Sequence, residues 1–430
     1  MPDGSFYDQL VELAEALETT NTSPEIGIVK TRIVNALGVM GVGGIDENGV
    51  EILVNGTILP SGTTWTEFLD AYNAATAGDL IVLPGELITQ TSGWFINKAI
   101  KVIGNGEVDG NGHPLSGFKI LGDITLAGSS QQIAIGYGGF PTTPYTTVEG
   151  VEIAYLTIEH TRNATNRCNA ISFFGHTKDI HVHHCYFKNI TSDVFIFRNE
   201  STMAIEGQIG ALEDILIHDN IVEEWYETVF NWHEGSGSRI CMWNNYCTCM
   251  AGGHPNFAVS RPYAALCNIE EDIYDGFLDG FHLINNTFIS DLYNWSLGVG
   301  GQAGSGTDFN DSVGFAMRRN NNPDIRYHHV SLRGNFFKGW DKILYHIQTQ
   351  TVDGSPLFPG PAYVDYSGNR FEEFGDVGVN IDDWGAAGDV IIFGDNDIVV
   401  LTGEQTGILL PGGAGVVSII QQPPNRVVGP

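Results

Sequence analysis

Positive charge is scarce in this chain. Lys and Arg number 20 against 51 Asp and Glu, a formal net charge of −31 over 430 residues. That balance excludes a nucleic-acid backbone as partner, because phosphate binding is driven by basic side chains displacing counterions. It also argues against broad electrostatic capture of an anionic polymer, and leaves a local basic patch as the only route to one. Long apolar runs are absent too. No stretch approaches the ~18 consecutive apolar residues of a membrane helix, so no membrane partner is expected. Met1-Pro2-Asp3-Gly4-Ser5 has neither the basic start nor the apolar run of a secretory leader. Cysteine is sparse, at 168, 185, 241, 247, 249 and 267, in a spacing that matches no standard zinc pattern. We read these cysteines as small core residues, with Cys185 at a corner and Cys241 and Cys247 facing inward, and expect neither disulfides nor a metal.

What the chain has in quantity is glycine, 54 residues, and a repeated phrase. Alternating apolar residues are followed by a turn former, then Asn or a stand-in, a spacer and another apolar residue. Ile215-Leu216-Ile217-His218-Asp219-Asn220-Ile221-Val222 is one copy, and Ile240-Cys241-Met242-Trp243-Asn244-Asn245-Tyr246-Cys247 is the next. The marker falls at Cys185, Asn220, Asn245, Asn286, Asn335, Asn369 and Asn396. Each copy reads as a strand, a corner tolerant of left-handed backbone, and a second strand. No copy can bury its apolar face alone, whereas stacked copies can, so the phrase predicts a parallel β-solenoid with loops inserted where the spacing lengthens. Asn at one corner of successive coils would bond to its neighbours as a buried ladder.

At the entry, Thr64 and Glu67 form a capping box ahead of Trp65, Phe68, Leu69 and Tyr72, an apolar stripe at helical spacing. Gly78-Asp79-Leu80-Ile81-Val82-Leu83-Pro84-Gly85 follows. This opening and the repeat resemble the right-handed parallel β-helix superfamily of pectate lyases, chondroitinase-type and alginate lyases, and phage tailspikes, over roughly residues 60–425. The resemblance implies an all-β, right-handed parallel β-helix with an N-terminal capping helix, a fold that hosts lyases, hydrolases and inert fibres alike.

Residues 1–45 read as a separate helical module and linker, 46–425 as the solenoid, and 426–430 as a tail. Phe6, Leu10, Leu13 and Leu17, then Ile26, Val29, Ile33 and Leu37, give two amphipathic helices too short to stand alone. They suit oligomerisation or attachment, or alternatively a cap on the solenoid. In organisation the chain is similar to tailed-phage tailspikes. That similarity implies a homotrimer on the virion tail, joined to other tail proteins through its N-terminus and recognising host-surface polysaccharide. The absence of a leader at Met1, read as the natural start, suits a protein released by lysis.

Two enzymatic schemes compete with simple binding. A lyase needs a base and a cation to neutralise a uronate, which Arg198, His233 and Arg261 could supply, with Ca²⁺ held by acidic residues. Asn231-Trp232-His233-Glu234 is similar to part of the Trp-x-Asp-His element of pectate lyases but lacks its Asp. A hydrolase needs two carboxyls, for which Glu234, Asp279, Asp382 and Asp383 are candidates. Trp232, Tyr263, Tyr274 and Trp295 are candidate sugar-stacking residues, with coil-to-loop packing as the alternative. His181 and His183, on one side of a strand beside His184, read as a surface row rather than a metal comb.

Overall fold

The computed structural model describes residues 56–121, 131–136, 147–161, 168–198 and, with short gaps, 211–249, and beyond these mainly the strands of each coil. The chain is a right-handed parallel β-helix. Its strands stack into sheets of 12, 11 and 10 strands, and every pairing within them is parallel. One coil shows the plan. Ala211–His218 lies in the first sheet, Ile221–Trp225 in the second and Thr228–Glu234 in the third, and Ser236–Trp243 then returns to the first sheet one level on.

Alternation within each strand fixes which side is core. Val151, Ile180, Ile215, Ile240, Phe281 and Val330 stand in register on successive coils, and all are buried. In the third sheet the column becomes aromatic, with Phe173 stacked on Phe197 at 4.9 Å and Phe197 on Trp232 at 5.7 Å. Parallel register makes like stack on like, and each such ring pair adds roughly 0.5–1.5 kcal/mol beyond area burial.

The corner between the first and second sheets is the predicted phrase made physical. Tyr155, His184, Asp219, Asn244 and Asn285 all have φ between 53 and 57°, and Gly334 and Gly368 continue the row at 67 and 68°. The next residue is the marker, and its amide forms the ladder. Nδ2 of Asn220 donates to Oδ1 of Asn245 at 2.9 Å, and the same bond runs from Asn245 to Asn286, Asn335, Asn369 and Asn396. Each amide also donates to a backbone carbonyl of the preceding coil, as Asn286 does to Met242 at 2.9 Å. Left-handed backbone costs about 1–2 kcal/mol per non-glycine residue. The ladder, by satisfying several buried polar groups per coil, offsets it.

The helix Trp65–Ala74 forms as its sequence predicts. Thr64 caps it, with both bonds of the capping box present, and Trp65, Phe68 and Tyr72 are buried. Phe68 packs edge-on against Trp94 at 5.0 Å and against Phe118 at 4.9 Å, so the helix closes the first coil. The two helices expected before residue 38 lie outside the described residues. At the end of the expected linker, Gly44–Ile45 pairs antiparallel with Glu51–Ile52 of the next segment. The segment read as a tail contains a strand, since Arg426–Val428 adds to Asp397–Val399 in the second sheet.

Cys185, Cys247 and Cys249 are buried core residues, and burial pushes the Cys185 thiol up to about 12. Cys241 corrects the expectation. Its strand neighbours are Leu216 and His282, on the outward row, and it is half-buried rather than inward.

Candidate functional site

Of the residues proposed for catalysis, three meet at the end of the third sheet. Phe195–Arg198 pairs with Thr228–Glu234, and the register slips between Phe197 and Arg198, so that Arg198 stands opposite Glu234 and His233 occupies the bulge. Bulges re-aim side chains and recur beside active sites. Asp382 ends a strand of the same sheet, but the column from Trp232 passes through Ile269, Met317 and His346 before reaching Ile381. At ~4.8 Å per level, four levels separate Glu234 from Asp382 by roughly 19 Å. A hydrolase needs its two carboxyls within ~9.5 Å, so these two do not form one centre.

Asp279 lies elsewhere, on the first sheet beside Ser238 and His328, and accepts a 2.8 Å bond from Nδ1 of His329. Arg261, Tyr263, Tyr274, Trp295 and Asp383 fall outside the described residues. Trp232 is corrected outright. It is fully buried, and a Cβ on Gly237 would come within 2.2 Å of its ring. It stacks on Phe197 inside the coil and cannot meet a sugar there. Trp225 and Trp340 are likewise fully buried.

Of the histidines expected as a surface row, His183 and His184 lie instead at the corner between the first and second sheets, where His183 is buried. The last residues of successive first-sheet strands are in register, Ala154 with His183, His183 with His218 and His218 with Trp243. The left-handed residues that follow are Tyr155, His184, Asp219 and Asn244. Ring faces therefore line up along the coil axis. Tyr155 stacks on His184 at 4.9 Å, His183 on His218 at 4.8 Å, and His218 meets Trp243 at 5.7 Å. Trp243 is 37% exposed, and Tyr246, which opens the second-sheet strand of the same corner, is 44% exposed. Two exposed rings thus flank the turn that carries Asn244, whose side chain bonds Asp219 of the preceding coil.

Hydrogen bonds hold the polar members. Nδ1 of His218 bonds Oδ2 of Asp219 at 2.8 Å, and Nδ2 of Asn244 donates to Oδ1 of the same carboxylate. Burial opposes ionisation of Asp219, yet the bonds from His218 and Asn244 outweigh it and lower its pKa. Burial lowers that of His218 despite its bond to Asp219, with His183 adding to the effect. One coil back, His183 bonds Glu152 at 3.2 Å, and Lys101 bridges the same carboxylate at 2.9 Å. Burial works against ionising Glu152 as well, but His183 and Lys101 bring it down to about 2. One ligating atom each from His184, His218 and Asp219 lies within 4.8 Å of the others.

A second polar network lies at the opposite corner, between the second and third sheets. Asp193 accepts from Thr228 and from Nδ2 of Asn231, and donates its N–H to Asn169, which bonds Gln131. His160 bridges Gln132 at 2.8 Å and Thr191 at 3.0 Å. These groups are under 10% exposed, so they serve the corner as a polar ladder does and present nothing to solvent.

Fold and corner together define the class: a right-handed parallel β-helix carrying an aromatic and imidazole stripe on one outer corner. No protein-family model and no curated protein matches the sequence. Among solved structures, the chain is similar to tailspike protein 3 of bacteriophage CBA120, with 9% identity, a TM-score of 0.26, and coverage of 89% of this chain and 60% of that one. It is also similar to DFA-IIIase from Arthrobacter chlorophenolicus A6, solved in complex with GF2, with 10% identity, a TM-score of 0.27, and coverage of 86% and 92%. At these values neither similarity bears on what this chain binds, and the fold assignment stands on the chain's own three sheets.

Proposed function

We propose that this chain recognises a surface carbohydrate through the corner bearing Trp243 and Tyr246, as a spike or fibre protein of a tailed virus does. The observation that carries the reading is the pair of exposed rings flanking the turn of Asn244, whose side chain bonds Asp219 on the coil before it. Aromatic faces stack on the apolar faces of sugar rings, while carboxylate and amide groups bond the hydroxyls. A solenoid repeats such a corner at fixed intervals and so suits a repeating polymer. A homotrimer on the virion tail, attached through residues 1–45, belongs to the same proposal.

The second reading is a polysaccharide lyase or glycosidase, favoured by the bulge that sets Arg198 opposite Glu234. A panel of capsule, lipopolysaccharide and uronate polymers separates the two. Binding without new reducing ends or unsaturated product supports recognition alone. Unsaturated product establishes a lyase, and reducing ends without unsaturation a glycosidase. Absence of binding and of turnover, on a panel holding the host's own sugars, overturns both.

A further inference from the structure

The three ligating atoms of His184, His218 and Asp219 owe their proximity to register alone. His184 and Asp219 occupy successive levels of the left-handed row, and His218 directly precedes Asp219. All three side chains are half-buried. Parallel coils hold these positions at a fixed rise, so the cluster is built on strand ends and does not depend on an inserted loop.

Two features go beyond an ordinary ion pair. The first is a proton chain. Glu152, anchored by Lys101, accepts from Nε2 of His183, which leaves Nδ1 of His183 to accept from Nδ1 of His184 at 2.9 Å. That order places the His184 lone pair on Nε2. A carboxylate acting through a second group to set the tautomer of an imidazole is the outer-sphere arrangement of metal-binding histidines. The second is clamping. Tyr155 stacks on His184, His183 on His218, and Asn244 bonds Asp219, so each group of the cluster is held by a neighbour.

We propose that this corner binds one divalent first-row transition ion of the zinc type through His184, His218 and Asp219, with water completing the shell. Two imidazoles and one carboxylate suit zinc, nickel or copper, whereas calcium takes oxygen ligands throughout. The ion therefore differs from the Ca²⁺ expected of a lyase. Tetrahedral bonds of ~2.0–2.1 Å set ligand atoms roughly 3.3 Å apart. Nδ1 of His218 and Oδ2 of Asp219 now stand 2.8 Å apart. The ion takes the place of the proton they share, with an opening of about half an ångström. The site shares Asp219 with the proposed sugar-binding corner, and because the metal titration is run without sugar, failure of one proposal is distinguishable from failure of the other.

The test uses the untagged full chain, stripped with chelator and titrated with Zn²⁺ by calorimetry, with Co²⁺ absorption as a second readout. One ion per chain and the visible bands of four-coordinate Co²⁺ are expected. His184→Ala and His218→Ala should each weaken binding by more than about 100-fold, and Glu152→Gln, acting through His183, by about 10-fold. His181→Ala, on the same strand but paired with Asp179, should bind as the parent does. Stoichiometry well below one, or parent-like binding by both His184→Ala and His218→Ala, overturns the proposal. Should the variants fail to fold, X-ray absorption of the Zn²⁺-loaded parent decides. Two imidazoles with carboxylate oxygen support the site, and an all-oxygen or sulfur-containing shell refutes it.

Discussion

The imidazole of His183 lies over that of His218 on the next coil, ring centroids 4.8 Å apart and planes 8° from parallel. Two histidines 35 residues apart in sequence become neighbours because each stands two residues before the corner marker, Cys185 in one coil and Asn220 in the next. Cys185 accordingly donates its backbone N–H to Oδ1 of Asn220 at 2.9 Å, as each ladder Asn does to the one after it. The same offset sets Trp243 over His218 and brings an exposed indole to the stripe. The make-up of this corner is thus a property of register.

The ladder should dominate local stability. Asn286 is 1% exposed, donates to Asn335 and to the Met242 carbonyl, and accepts from Asn245. Asn286→Ala leaves several buried groups without partners, at ~1–3 kcal/mol each. Denaturant unfolding should show a loss of about 3 kcal/mol or more. A loss under about 1 kcal/mol would mean that the coils hold without the amides.

Two tryptophans should behave oppositely. Trp232→Ala empties a fully buried site stacked on Phe197 and should cost about 3–5 kcal/mol. Trp243→Ala removes a ring 37% exposed and should cost about 1 kcal/mol or less, while weakening carbohydrate binding by roughly tenfold or more. Thermal melts and binding isotherms on the two variants check both halves.

Acid should weaken the corner in a defined window. Glu152 is held at about 2 in the folded chain against an ordinary 4.5, so its contribution is complete above 4.5 and disappears as pH falls towards 2. At neutral pH it amounts to as much as about 3 kcal/mol. Stability profiles of the parent and Glu152→Gln should converge as pH falls from 4.5 to 2. Parallel profiles across that window would exclude the linkage.

Gly136 tests the close approach of two coils. Its φ is +79°, and a Cβ there would lie 2.3 Å from the Phe174 carbonyl oxygen. Gly136→Ala should cost about 2 kcal/mol or more by chemical denaturation.

How much of this was legible in the sequence follows from where the markers lie. The Asn phrase spans the first and second sheets, so the coils, the ladder and the left-handed corner can be read directly. The capping helix is legible for a separate reason, because Thr64 and Glu67 announce it. Third-sheet strands carry no marker, and alternation alone leaves open whether Trp232 faces in or out. The same gap hid the bulge that joins Arg198 to Glu234. The histidine stripe was within reach. Comparison of His181 with His183 along one strand misses it, whereas aligning coils on Cys185 and Asn220 sets His183 on His218 and His184 on Asp219.

The most direct measurement follows tryptophan emission of the full chain while bacterial surface polysaccharides are titrated in. The account predicts that a bound glycan alters the emission, and that Trp243→Phe abolishes the change and weakens binding. A glycan that binds with the emission change intact in Trp243→Phe would contradict recognition at this corner.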